Sequence, residues 1–279
     1  MFRLEYLGIR DEVAIDTCDL LNLQAVKEVI DTHQPDEIYN LAAQSSVANS
    51  FQSPYGTLNF NINSVLNILE SIKEQDPSIK FYQASSSEMY GRVRNLPITE
   101  STVMNPLSPY AISKAAAHWI SVNFRESYDL FVCCGILFNH ESYLRGENYF
   151  TKKVIREALE IKKNKRDVVR VGNIDIRRDF GYSPRYVEAM WLMMQQAEPD
   201  DYIICSGRSL PLKDIVGFIF RKLNIDPQKI VVDQSLFRPN EIADSYGNNS
   251  KARIKLGWDY SSDFYDVLDK LIEEEERNQ

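Results

Sequence analysis

With 279 residues, 44% of them hydrophobic and 26% charged, the chain has apolar mass for one large domain or two closely joined ones, and its composition excludes disorder. Forty Asp and Glu against 32 Lys and Arg leave a net charge of -8, which argues against nucleic acid or an anionic membrane as the main partner. There is no run of 18 apolar residues, no apolar leader after Met1, no C-x-x-C among four cysteines and no ligand spacing among three histidines; the expectation is a cytoplasmic protein with free thiols, no membrane span and no metal site.

Strand and helix patterns alternate from the start. Residues 13–16 (VAID) read as a strand, followed by a helix over 22–33. The run at 36–43 (DEIYNLAA) has strand length. A long helix follows over 59–74, with Phe60, Val65, Leu66, Ile68, Leu69 and Ile72 on its apolar side. Residues 80–85 (KFYQAS) form the next strand. Ser108 as N-cap and Pro109 in the first turn open a helix over 109–128. Residues 130–138 (LFVCCGILF) are nearly all apolar, as a strand buried on both faces requires, with Cys133 and Cys134 pointing to opposite faces.

This alternation predicts an α/β fold with a doubly wound parallel sheet of Rossmann type. From about residue 139 the pattern loosens. Helices near 151–163, 186–196, 212–223 and 263–275 and short strands at 168–171, 202–205 and 230–233 predict a smaller, interleaved α/β substrate lobe. The expected division gives 1–138 and about 173–210 to a cofactor-binding domain, and about 139–172 and 211–279 to the lobe. Charge is uneven: residues 145–185 hold 12 Lys and Arg against 6 Asp and Glu. Two readings stand, a solvated helix face around 162–166 or a pocket for an anionic ligand such as a diphosphate.

Parallel sheets bind ligands at the carboxyl ends of their strands. After the strand 80–85 come Ser86, Ser87 and Glu88; in extended chain Ser86 and Glu88 share a face. At the following helix start, Tyr110 and Lys114 lie four apart and share a helix face. An ammonium beside a phenol lowers its pKa and makes an acid/base unit. The spacing Y-x-x-x-K occurs twice, at Tyr110/Lys114 and Tyr149/Lys153; only the first has a strand-end Ser-x-Glu upstream and a buried strand downstream.

The segments FYQASSSEMYG (81–91), SPYAISK (108–114), GILFNHES (135–142), YNLAAQS (39–45) and FRP (237–239) resemble the extended short-chain dehydrogenase/reductases, and within them the GDP-mannose 4,6-dehydratases, essentially end to end. The resemblance implies that Tyr110 takes the proton of the sugar O4 hydroxyl, with Lys114 holding its pKa down and Ser86 hydrogen-bonding O4. It implies that Glu88 removes the C5 proton and helps expel the C6 hydroxyl as water. Simple epimerases and reductases of this fold need only the Ser/Tyr/Lys group. The implied cofactor is NADP, with NAD as the alternative, contacted by Asp19, Leu20, Leu41, Ala42, Ala43, Tyr110, Lys114 and His140. The implied substrate is GDP-mannose or a related GDP-sugar, held by Ser86, Asn139, Lys153, Arg178, Arg238 and Glu241. A homodimer or homotetramer is implied, through the helices 59–74 and 109–128.

The sequence also departs from that pattern. Of 11 glycines no two lie within three residues of one another, so the Gly-x-x-Gly-x-x-Gly turn that cradles a pyrophosphate is absent. The expectation is a fold lacking one N-terminal β-α-β unit of roughly 40 residues. Ser46, Tyr143 and Arg185 depart from the family pattern on the substrate side, leaving open which hexose or heptose is bound. The alternatives are another GDP-sugar dehydratase, epimerase or reductase, or a non-catalytic homologue that associates with an intact relative.

Overall fold

The computed structural model describes residues 2–278. Its strands are β1 (Glu37–Asn40), β2 (Lys80–Ser86), β3 (Val132–Leu137), β4 (Asn139–Glu141), β5 (Val169–Val171), β6 (Arg177–Tyr182), β7 (Asp201–Ile204), β8 (Ser209–Pro211), β9 (Ile230–Val232) and β10 (Asp244–Ser245). The main sheet has the order β1-β2-β3-β7 and every pair in it is parallel. That is the outcome expected of strands separated by helices, because a parallel connection needs a crossover. A second sheet runs β10-β6-β4, with β8 antiparallel to β6, and β5 pairs with β9.

The helices are α1 (Phe2–Leu7), α2 (Leu23–His33), α3 (Val47–Gln52), α4 (Pro54–Gln75), α5 (Pro109–Tyr128), α6 (Phe150–Lys162), α7 (Ser183–Met194), α8 (Leu212–Lys222), α9 (Ser250–Leu256) and α10 (Phe264–Arg277). Their starts follow local chemistry. Asn22 accepts hydrogen bonds from the backbone N–H groups of Gln24 and Ala25 to open α2, and Ser108 accepts one from Ala111 to open α5, with proline in its first turn. Helix α4 begins earlier than its apolar periodicity predicts, because Pro54 is favoured at a helix start and the first turn carries the polar sequence around Gly56.

Both faces of the main sheet are covered. Val26, Ile30, Val65, Ile68, Leu69 and Ile72 of α2 and α4 pack with Phe81, Val132 and Cys134 on one side. Tyr82 and Cys133 pack with Met190, Met193 and Trp258 of the α7 and α9 region on the other. The adjacent cysteines therefore do face opposite ways. A separate cluster centred on Val154, Ile155, Ile219, Phe220 and Leu268 joins α6, α8 and α10. The sheet is tight at Gly135, where an added Cβ would lie 2.0 Å from the hydroxyl of buried Tyr82.

One predicted strand does not form. Residues 13–16 are irregular, with Val13 and Ile15 exposed at 38% and 46%. Among the described residues no strand pairs with the outer edge of β1. An extended run without a ladder partner has unsatisfied N–H and C=O groups and is not held as a strand.

Candidate functional site

Strand β2 carries its chain to Ser86 and stops there. The Ser86 hydroxyl accepts a hydrogen bond from the Glu88 N–H (3.3 Å) and caps a tight turn over Ser87–Tyr90. The expectation that Ser86 and Glu88 share the face of an extended strand is thus corrected: the cap bends the chain. Both side chains nonetheless line one cleft of about 560 Å³. Tyr110 and Lys114, from the first two turns of α5, line the same cleft, as do Leu41 and Ala43 after β1 and His140 in β4. The cleft stands at the carboxyl ends of β1, β2 and β3, where a parallel sheet offers its ligand site.

The electrostatics of this group differ from the simple phenol–ammonium pair. Burial pushes the Tyr110 phenol up to about 12; the Ser86 hydroxyl bonded to it pulls it down, Glu88 and Tyr149 push it up, and Arg145 pulls it down. Among these protein groups the tyrosine is therefore not brought toward neutrality. Lys114 is 5% exposed, and its ammonium donates to the Ala84 carbonyl (2.8 Å). Burial brings it down to about 8. An ammonium has three donors; one described acceptor leaves two unmatched beside the cleft. His140 stacks on Tyr186 with 4.8 Å between ring centres and meets the Phe138 carbonyl through Nδ1 (2.8 Å). Burial pushes it down to about 4, so its imidazole is neutral.

A neighbouring cavity of about 230 Å³ is lined by Glu88, Asn139, Arg178, Arg238 and Glu241, among others. Arg178 donates to the carbonyls of Arg177 and Ile242 and pairs with Glu241 at 3.3 Å. Arg238 approaches Glu88 at 3.6 Å. Asn139 donates to the Asp179 carbonyl (2.9 Å). Buried Arg178, a member of the basic stretch, lines this cavity together with Glu88 and the exposed Arg238, which supports the anion-pocket reading for that part of the stretch.

Other expected residues lie elsewhere. Lys153 lines neither cavity and donates to the Arg170 carbonyl (2.7 Å). Tyr149 sits just outside α6, so the helical spacing between it and Lys153 does not place them on one face. Asp19 and Leu20 also line neither cavity: Asp19 accepts from the Leu21 N–H and Leu20 packs against the α2–α4 core. The Ala42 N–H is held by the Asn40 side chain.

The structure adds residues that the sequence reading did not assign to the site. Tyr149 reaches the cleft and shares a hydrogen bond with Ser45 (2.5 Å). Arg145 lies 3.8 Å over the Tyr149 ring and lines both cavities. Glu141 lies at the end of β4, 3% exposed. The clue to Tyr149 was the second Y-x-x-x-K; the clue to Arg145 was its place at the head of the basic stretch. His118, Cys134 and Asp201 also come together, but both Asp201 oxygens receive Arg125 (2.8 and 3.1 Å), which makes the group part of a half-buried ion pair.

A family model described as GDP-mannose 4,6 dehydratase matches residues 3–271. A GDP-mannose 4,6 dehydratase of Arabidopsis thaliana is 41% identical over 262 residues, covering 92% of this chain and 72% of its own length. A GDP-mannose 4,6 dehydratase of Dictyostelium discoideum is 33% identical over 290 residues, covering 97% and 82%. Among solved structures, RMD from Pseudomonas aeruginosa complexed with NADPH is similar at a TM-score of 0.87 and 24% identity, over 99% of this chain and 95% of that one. A UDP-N-acetylglucosamine 4-epimerase from Methanobrevibacter ruminantium is similar at 0.79 and 26%, over 91% and 80%.

Proposed function

The chain belongs to the GDP-mannose 4,6-dehydratase family, and on that premise we propose that it converts GDP-mannose to GDP-4-keto-6-deoxymannose and water. The observation that carries this reading is the convergence of Ser86, Glu88, Tyr110 and Lys114 in one cleft that opens onto Arg178 and Arg238. Glu88 is the decisive member, since a base beside the Tyr/Lys group is what elimination requires and simple 4-epimerisation does not.

In this reading Tyr110 accepts the O4 proton while the Ser86 hydroxyl, already bonded to the phenol, orients O4. Once C4 is a ketone, the C5 hydrogen is acidified and Glu88 removes it. The same carboxyl returns a proton to the departing C6 hydroxyl, which leaves as water. The positive charge of Lys114 favours phenolate when Tyr110 ionises, and its two unmatched donors await a ribose diol. A nicotinamide dinucleotide, when bound, would supply the transient oxidation at C4 and the reduction at C6, with no net consumption; C5 takes up one proton as C6 is reduced, balanced by the O4 proton that Tyr110 gives up, and NADP is the preferred form and NAD the second.

The residues fit only part of that cofactor. Lys114, Tyr110 and His140 suit the nicotinamide-ribose end. At the pyrophosphate end, no glycine-rich turn stands beside β1 among the described residues.

The test is incubation of the chain with GDP-mannose and millimolar NADP, followed by mass analysis. A sugar nucleotide lighter by one water supports the proposal. A product of unchanged mass with inverted C4, or no conversion, overturns it.

A further inference from the structure

Tyr110, Lys114 and His118 recur at every fourth residue of α5, so they share one face of that helix, and all three are buried. Each meets one of three successive residues at the end of β2. Tyr110 meets the Ser86 hydroxyl, Lys114 the Ala84 carbonyl, and His118 the Ser85 hydroxyl through Nδ1 at 3.0 Å. The first two contacts belong to the proposed reacting group. The third has no part in it, although Ser85 also lines the cleft.

Between these contacts the buried face of α5 is made of small residues, Ala111, Ala115 and Ala117. Alanine methyl groups pack closely but raise no ridge that fixes position along the helix axis, so the register of α5 on β2 falls to directional bonds. At the far end, Arg125 ties the helix to the Val132 carbonyl (3.0 Å) and to Asp201. At the reacting end, Lys114 holds β2 through one carbonyl. His118 stands between the two. Burial pushes its ring below the usual histidine range against the pull of Asp201, so it is neutral. Its Nε2 faces Asp201 Oδ2 at 3.9 Å, too long for a hydrogen bond. The carboxylate still favours the proton on that nitrogen, which leaves Nδ1 to accept from Ser85.

We propose that His118 is a positioning residue for the reaction: by holding Ser85 it sets α5 in register on β2, and with it the reach of Tyr110 and Lys114 toward the sugar. This rests on the dehydratase reading above. A shift of about 1 Å at reacting atoms costs on the order of a hundredfold in rate.

The test compares the unaltered chain with His118→Leu, His118→Asn and Ser85→Ala. Leucine removes the acceptor, asparagine returns a polar atom near the place of Nδ1, and alanine removes the donor. Two readouts respond to register and not to stability alone. The first is the pKa of Lys114 in the folded chain without ligand, followed by NMR of its side-chain carbon and assigned with Lys114→Met. A shifted seam admits water to the ammonium, so this pKa should rise from about 8 by roughly one unit or more in His118→Leu and Ser85→Ala, and stay near 8 in His118→Asn. The second is dehydration of GDP-mannose. Here kcat should fall about tenfold to a hundredfold in His118→Leu and Ser85→Ala, with KM within about twofold, and recover at least in part in His118→Asn. Combining Ser85→Ala with His118→Leu should cost no more than either alone, since both remove one contact. Ser85→Ala leaves the helix unaltered, so it carries the test if a change at His118 prevents folding. A lower melting temperature with the Lys114 pKa and kcat unmoved makes the contact merely structural and overturns the inference. So does His118→Asn behaving as His118→Leu does. If the unaltered chain leaves GDP-mannose unconverted, the dehydratase reading falls, and the lysine titration decides separately: a pKa unmoved by Ser85→Ala overturns the positioning role.

Discussion

Lys114→Met is expected to raise stability while abolishing dehydration. Lys114 is 5% exposed and its ammonium has one described acceptor, so burial brings its pKa from 10.5 to about 8. That difference corresponds to about 3 kcal/mol of unfavourable burial below pH 8. The unfolded chain holds the proton up to pH 10.5, whereas the folded chain releases it near 8. Between those values the unfolded state binds more protons, so stability of the unaltered chain rises with pH across that window. Methionine fills similar volume without the charge. The Ala84 carbonyl loses one donor but keeps the Gln83 side-chain amide at 3.3 Å, which limits the loss to about 1 kcal/mol. The net expectation at pH 7 is a gain of roughly 1–3 kcal/mol. Urea unfolding of both chains at pH 7, 9 and 10.5 measures it: the advantage of the variant should shrink steadily as pH rises. A variant less stable at pH 7, or an advantage independent of pH, would refute the account of Lys114 as a charge held at the site against its own solvation.

Three further outcomes are expected. Glu88→Gln should lower dehydration by roughly 10²–10⁴-fold and stop deuterium from solvent entering C5 of the sugar; incorporation at the parental rate would remove Glu88 as the base. Arg178→Met strips donors from two carbonyls and leaves Glu241 without its 3.3 Å partner; a loss of roughly 2–4 kcal/mol in urea unfolding is expected, together with weaker GDP binding by calorimetry, and unchanged GDP affinity would detach this residue from the ligand. Gly135→Ala would set a Cβ 2.0 Å from the Tyr82 hydroxyl in the sheet interior, so a destabilisation of roughly 1–3 kcal/mol or more is expected; a neutral result would mean that β2 and β3 yield more readily than a close-packed sheet should.

The parallel sheet and its helices were legible because their signals are local and strong: the apolar run around Val132–Leu137, the cap at Ser108, the periodicity of α4. The short strands were legible only in part: those expected at 168–171, 202–205 and 230–233 form as β5, β7 and β9, while β4, β6, β8 and β10 were not read. Strand β6 begins with two arginines and reads as a charged loop, yet Arg178 and Asp179 are buried because their partners come from residues 206–207 and 241–242. No local pattern announces a partner some 30 or 60 residues away. Residues 13–16 failed in the opposite sense. Their composition is that of a strand, but strand formation is a property of a pair, and among the described residues no paired strand lies beside 13–16. The Tyr110 pKa was misjudged for a related reason. Spacing suggested an ammonium neighbour, whereas desolvation governs a phenol that is 8% exposed, and the groups acting on it include Arg145 and Tyr149 from a distant segment.

The same contrast bears on how the site is built. Ser86, Glu88, Tyr110 and Lys114 come from one strand end, the turn it caps and the helix that follows. Their mutual placement is fixed by β2, by the cap, and by the packing of α5 on β2 and β3, all of which lie within residues 80–137. The arginine cavity depends instead on segments spread from Asn139 to Glu241. A ligand that bridges the two therefore reports on something neither part defines separately: how the segments that line the arginine cavity are set against the sheet. Glu88 stands at that seam, 3.6 Å from Arg238, and the elimination assigned to it requires the sugar to be held from both sides at once. Loosening of those segments should then impair removal of the C5 proton more than deprotonation of O4, because Tyr110 lines only the sheet-side cleft while Glu88 lines both cavities.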